Sequence, residues 1–195
     1  MPSAAPEIAS EVLQSSSQVL FMLRRVATIA TRRLVHTEAH IAKLGITLPP
    51  PGGPKANYTI AQWQTPELLY LSGHLPIKLD GTIMSGHIGD GGLPLETGQE
   101  AARWCGLGLL ATIQDQLGGD LDRVERVVKL FGIVASKPGF NSQHLVLNGA
   151  SDVIMEVLGD RGYHARSAIG TNELPLMAPV EVEAIVKVKP NLEFS

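Results

Sequence analysis

The nine residues Val180 to Val188, VEVEAIVKV, constrain the fold more than any other stretch. Val180, Val182, Ala184, Val186 and Val188 fall on one face, while Glu181, Glu183 and Lys187 fall on the other. That period of two defines a strand with one buried side, so the chain must supply a sheet and something apolar to cover it. The preceding residues from His164 read as a second strand, joined to the first by a turn at Leu174-Pro175. The expectation is a terminal hairpin with one charged face, to which Arg166 adds a guanidinium. Pattern alone leaves open whether that face is solvated or has a use.

Upstream elements follow from the same patterning. YTIAQWQ (58–64) and LLYLSG (68–73) predict a hairpin around Thr65-Pro66-Glu67. Thr97 to Leu117 predicts a helix with Ala101, Trp104, Cys105, Leu109 and Ile113 inward, stopped by Gly118-Gly119. Arg123 to Ser136 contains VVKLFGIVAS and predicts a central strand. A second helix is expected from Asn141 or Ser142 to Leu158, ended by Gly159. Within it Gly149 is unusual, and close packing or backbone approach to a ligand would explain it. Residues 77–95 form a Gly-rich loop without phosphate-loop spacing. The order predicts an α+β fold, a mixed sheet with two helices packed on one face. The other face is left to solvent or to symmetric copies of the chain.

The 195 residues suffice for one core. A net charge of -3 and 5% aromatic residues argue against a nucleic-acid surface. The single cysteine, Cys105, excludes an intramolecular disulfide and reads as a buried small hydrophobe. No apolar run reaches the length of a membrane span. Residues 1–36 differ from the remainder. Arg24, Arg25, Arg32 and Arg33 accumulate without an acid between Glu11 and Glu38, and Val19, Leu23, Val26, Ala30 and Leu34 share a helical face. This is the composition of a mitochondrial presequence, although an ordinary N-terminal helix stays open and Glu7 and Glu11 oppose the reading. Pro49, Pro50 and Pro51 form a rigid entry to the domain, which is taken as residues 37–195. His36 and His40 flank Glu38 at helical spacing, but no third metal ligand is evident.

SGHLP (72–76), the helix-strand-helix middle, ARSAIG (165–170), a Leu-Pro turn and VEVEAI (180–185) together resemble the RidA/YjgF family of reactive-intermediate deaminases, also called L-PSP-type proteins. The resemblance runs from about Thr37 to Val188, and LGITLPPP with ANY resembles a subgroup common in bacteria. It implies a chorismate-mutase-like trimer with ligand clefts at subunit interfaces. It also implies an enamine/imine deaminase that hydrolyses small 2-imino acids to 2-oxo acids and ammonia. Arg166 matches the family's carboxylate-binding arginine, and a planar guanidinium suits a carboxylate bidentately. Glu181 matches the acid that positions water. Tyr58, Ser72, Asn148 and the backbone near Ala168 match further cleft positions, Tyr58 and Asn148 after a one-residue length difference. No metal or organic cofactor is implied, because the imine carbon is already electrophilic. The chain departs from better-known deaminases at Ala168, where they often carry cysteine, and at His74, where they often carry glutamine. The alternatives are a non-catalytic small-molecule-binding or regulatory protein and, on the L-PSP name, an endoribonuclease. The compartment expected from residues 1–36 is the mitochondrion, and otherwise the cytoplasm.

Overall fold

The computed structural model describes residues 36–190. The presequence reading falls on residues 1–36, of which 1–35 lie outside the described residues. The domain opens with a short helix, α1 (Thr37–Lys43). Strands β1 (Ala61–Thr65) and β2 (Leu68–His74) follow as the expected antiparallel hairpin. The long helix α2 (Leu95–Gln116) leads through a 3-10 turn, Leu121–Arg123, into β3 (Val124–Ala135). The second helical region is two pieces, α3 (Gln143–Val146) and α4 (Asn148–Leu158), before β4 (Ala165–Thr171) and β5 (Val180–Val188).

The five strands lie in the order β1-β2-β5-β3-β4. All pairs are antiparallel except β3 with β4, whose connection carries α3 and α4 across one face. A mixed sheet under helices therefore stands as expected, and β3 has a partner on each side. The terminal hairpin does not form. β5 inserts between β2 and β3, and β4 sits at the sheet edge. The physical reason lies in the two strands themselves. β5 offers five buried aliphatic positions and gains most as an inner strand paired on both sides. β4, ARSAIGT, has small residues and little to bury. The link between them is also no tight turn. Its 3-10 segment Pro175–Met177 holds Leu176 and Met177 both at φ 58°, and Ala135 at the end of β3 donates its N–H to Pro179. This link carries the chain across the end of β3.

The core is the apolar face of β2, β3 and β5 against α2 and α4, with Leu69, Leu109, Leu130, Ile154, Val182 and Val186 fully covered. Cys105 is buried there, its S–H directed at the Val180 carbonyl 3.6 Å away, and burial pushes its thiol pKa well up. The thiol is thus inert packing, as its helix position suggested. Gly149 is explained by packing: an added Cβ would fall onto the Gln99 carbonyl of α2. Two helices can approach this closely only where one lacks a side chain.

A polar clasp fixes α1 to the body. Asp122 accepts hydrogen bonds from the Thr37 backbone and side chain and pairs with His36 Nδ1 at 2.9 Å. Glu38 accepts from Leu121 N at 2.8 Å, and Arg161 donates to the carbonyls of Leu121 and Val124. His40 turns away to the Glu156 carbonyl, so the two histidines do not converge. His36, Glu38 and Asp122 bring ligating atoms within 4.8 Å of one another, but Glu38 and Asp122 are already committed to the protein. Among the described residues, no helix is long and apolar enough to cross a membrane.

Candidate active site

Glu181 lies at the start of β5 and lines a cavity of about 250 Å³. The walls include Pro49 and Pro50 from the rigid entry segment, Tyr58, Ile60, Leu75, Ile77 and Leu176. Burial, and secondarily the neighbouring Glu183, raise the Glu181 pKa above the ordinary carboxylate value. The carboxylate lies where an added Cβ at Gly73 would sit, so a larger residue there would force the Glu181 side chain to move. Tyr58 is half exposed at the cavity, its hydroxyl accepting from the Lys55 N–H at 3.2 Å. Ser72, next to Gly73, donates its hydroxyl proton to the Thr59 carbonyl at 2.7 Å. Its oxygen keeps only acceptor capacity toward a ligand.

His74 also borders the cavity, yet both its nitrogens are spoken for. Nδ1 is 2.7 Å from the Ser72 carbonyl and Nε2 is 2.8 Å from Thr112 Oγ1. A carbonyl only accepts, so Nδ1 carries the proton and Nε2 accepts from the threonine hydroxyl. Burial lowers the His74 pKa to about 4, against the opposing hydrogen bond to Ser72. The imidazole is neutral and cannot serve as an acid in the cavity at neutral pH.

The consequence for stability has a definite sign. Above pH 6.5 both folded and unfolded chains hold this ring neutral. Between 6.5 and about 4 only the unfolded chain takes up the proton, so stability falls as pH falls. The expected loss is on the order of 3 kcal/mol, measured as urea midpoints at pH 7 and pH 4.5. His74→Gln is expected to remove that share of the decline. An unchanged pH dependence in the variant would show that the ring is not the cause.

Arg166 forms a separate centre on β4. Its Nη1 donates to Asn148 Oδ1 at 3.1 Å and to Ser151 Oγ at 2.9 Å, and its Nη2 to the His144 carbonyl at 2.8 Å. Three of the five guanidinium N–H groups are therefore taken by α3 and α4. Ala168, two residues on, shares its side of the sheet and packs on the core. His164 bonds to Ser151 at 2.9 Å and to the Gly162 carbonyl at 2.6 Å.

The structure thus brings Arg166, Asn148 and Ala168 together, and brings Tyr58 and Glu181 together with Ser72 close by. It does not bring the two groups together within one chain. Arg166 is registered with Leu130, a buried side chain beneath the helices, whereas Glu181 is registered with Ile133 on the opposite pleat. Both β4 and β5 neighbour β3, so two inter-strand spacings and three residues of rise put their backbones about 14 Å apart. The expectation that Arg166 belongs to the charged face of a terminal hairpin is corrected: it shares the helix side of the sheet, and Glu181 does not. Glu183, exposed beside Glu181, acts on it only through charge. Sequence reading missed Ser151 and Gly73. Ser151 carries no motif, while Gly73 stood inside SGHLP without its reason.

No protein-family profile matches the chain. A curated relative, protein TCP17 of Trypanosoma cruzi, is 44% identical over 151 residues, spanning 77% of this chain and 92% of that protein. Among solved structures, Atu1372 of Agrobacterium tumefaciens, a protein of unknown function, is 42% identical with a TM-score of 0.71, covering 78% of this chain and 92% of that one. A Shewanella oneidensis MR-1 protein with a provisional endoribonuclease label is 25% identical with a TM-score of 0.73, covering 78% and 99%. On the ground of this likeness the chain belongs to the RidA/YjgF family of L-PSP-type proteins.

Proposed function

We propose that the protein is an enamine/imine deaminase that hydrolyses small 2-imino acids to 2-oxo acids and ammonia. Family membership supports the coarser statement that it is a small-molecule-binding or deaminase-type protein. One observation carries the finer reading. Glu181 is a carboxylate with a raised pKa in a largely apolar cavity where the only neighbouring imidazole, among the described residues, is neutral and fully hydrogen-bonded.

In the proposed reaction Arg166 holds the substrate carboxylate, and Glu181 accepts a proton from a water as its oxygen bonds to the imine carbon. Glu181 passes that proton to the nitrogen, giving a carbinolamine; the hydroxyl proton then moves by way of Glu181 to the amino group as the C–N bond breaks and the C=O bond forms, so ammonia leaves and the 2-oxo acid remains. No electrons are exchanged with another reactant. The separation of Arg166 from Glu181 supports a cleft shared between neighbouring copies. Arg166, Asn148 and the backbone near Ala168 come from one copy, and Tyr58, Ser72 and Glu181 from the next. A cyclic homotrimer with one such cleft per interface satisfies this division.

The test is ammonia release from imines generated in place by an amino-acid oxidase, with light scattering for the assembly. Acceleration over buffer, lost on mutation of either half-site, is expected. Tight 2-oxo-acid binding without turnover would instead make the protein a binding or regulatory module. The endoribonuclease label of the Shewanella protein finds little support in a chain of net charge -3.

A further inference from the structure

Arg166 is oriented by a chain of hydrogen bonds that reaches back to a histidine. Ser151, only 6% exposed, places Oγ 2.9 Å from Arg166 Nη1 and 2.9 Å from His164 Nε2. His164 Nδ1 in turn lies 2.6 Å from the Gly162 carbonyl. That carbonyl can only accept, so Nδ1 bears the ring proton and Nε2 is bare. Ser151 must then give its single proton to His164, and its oxygen meets Arg166 with lone pairs only. Burial, and more weakly the charge of Arg166, hold His164 below its ordinary pKa, which keeps the ring in the neutral form the chain needs.

We propose that Ser151 and His164 are positioning residues that turn the Arg166 guanidinium toward a ligand carboxylate. Asn148, Ser151 and His144 take three of its N–H groups. The remaining two, Nε–H and one on Nη2, match the two oxygens of a carboxylate. Without Ser151, Asn148 and the His144 carbonyl would hold one N–H on each Nη nitrogen, and the second Nη1–H would have no acceptor to fix its direction. Ser151 adds the second fixed point on the same nitrogen, and His164 fixes the polarity of Ser151. This inference rests on reading Arg166 as the carboxylate anchor.

The experiment is calorimetric binding of 2-oxobutanoate and of its uncharged amide, 2-oxobutanamide, to the full chain. Ser151→Ala is expected to weaken 2-oxobutanoate about tenfold, with amide binding unchanged, since a hydrogen bond to a charged group is the one removed. Ser151→Thr, which keeps a hydroxyl, should stay within about threefold of the original, and His164→Leu should weaken the acid in the same direction. On an Arg166→Ala background Ser151→Ala should have no further effect. Equal losses for acid and amide would mean a merely structural role and would overturn the proposal. Undiminished acid binding by Ser151→Ala would overturn it alone. No binding of 2-oxobutanoate by the unaltered protein would instead remove the anchor reading and this inference with it.

Discussion

Arg166→Ala is expected to lower kcat/KM for imine hydrolysis at least a hundredfold, about 2.7 kcal/mol of transition-state stabilisation. The magnitude follows from what the guanidinium does. In the proposed reaction it meets a carboxylate whose charge must leave water on binding, and truncating one partner of such a pair typically costs about 2–5 kcal/mol. The same substitution leaves the acceptors on Asn148, Ser151 and His144 without their donor. Lysine would not restore the site, because a single ammonium cannot satisfy three divergent protein acceptors and a bidentate ligand together. Steady-state rates with oxidase-generated imines, beside a thermal melt to verify the fold, measure the effect. Full activity in a folded Arg166→Ala protein would end the proposed mechanism.

Glu181→Gln is expected to change two quantities in opposite directions. Turnover should fall by about 10² or more, the usual contribution of a positioned general base. Stability at neutral pH should rise. The folded-state pKa of Glu181 lies above its unfolded value, so the group favours folding fully only below the unfolded pKa. That contribution is lost as pH rises through the folded value, and at neutral pH the ionised carboxylate is a burden. Glutamine removes the burden together with the base. The same raised pKa places the acid limb of the rate profile above the ordinary carboxylate range, and the limb should vanish in the variant. A less stable, still active Glu181→Gln protein would contradict both halves. The trade agrees with the general tendency of functional groups to sit where they cost stability.

Most of the secondary structure was legible because each element carries its own period. VEVEAIVKV announces a pleated face, and the α2 positions Ala101, Cys105, Leu109 and Ile113 announce a helical stripe. Pairing was less legible. Whether β4 lies beside β5 depends on what else competes for β5, and no local pattern in residues 164–188 records that β2 and β3 win. The misplaced face of Arg166 follows from the same error, since a hairpin and a crossover assign side chains to the sheet differently. Resemblance pointed to Glu181 and Arg166, but it carried nothing of their environments. The Ser151–His164 link joins a helix to a loop 13 residues later. The neutral state of His74 depends on Thr112, 38 residues away. Such contacts exist only after the chain has folded.

The placement of Arg166 and Glu181 on opposite pleats reaches beyond enzymology into genetics. Where each working cleft draws its arginine from one copy and its carboxylate from the next, a lesion at either residue alone silences every cleft of a uniform assembly. Co-expression of the two defective alleles would behave otherwise. In a mixed ring an intact arginine from one polypeptide meets an intact glutamate from the other at one boundary, while the reciprocal boundary gathers both defects. Two recessive null alleles of a single gene would complement each other, as if they lay in different genes.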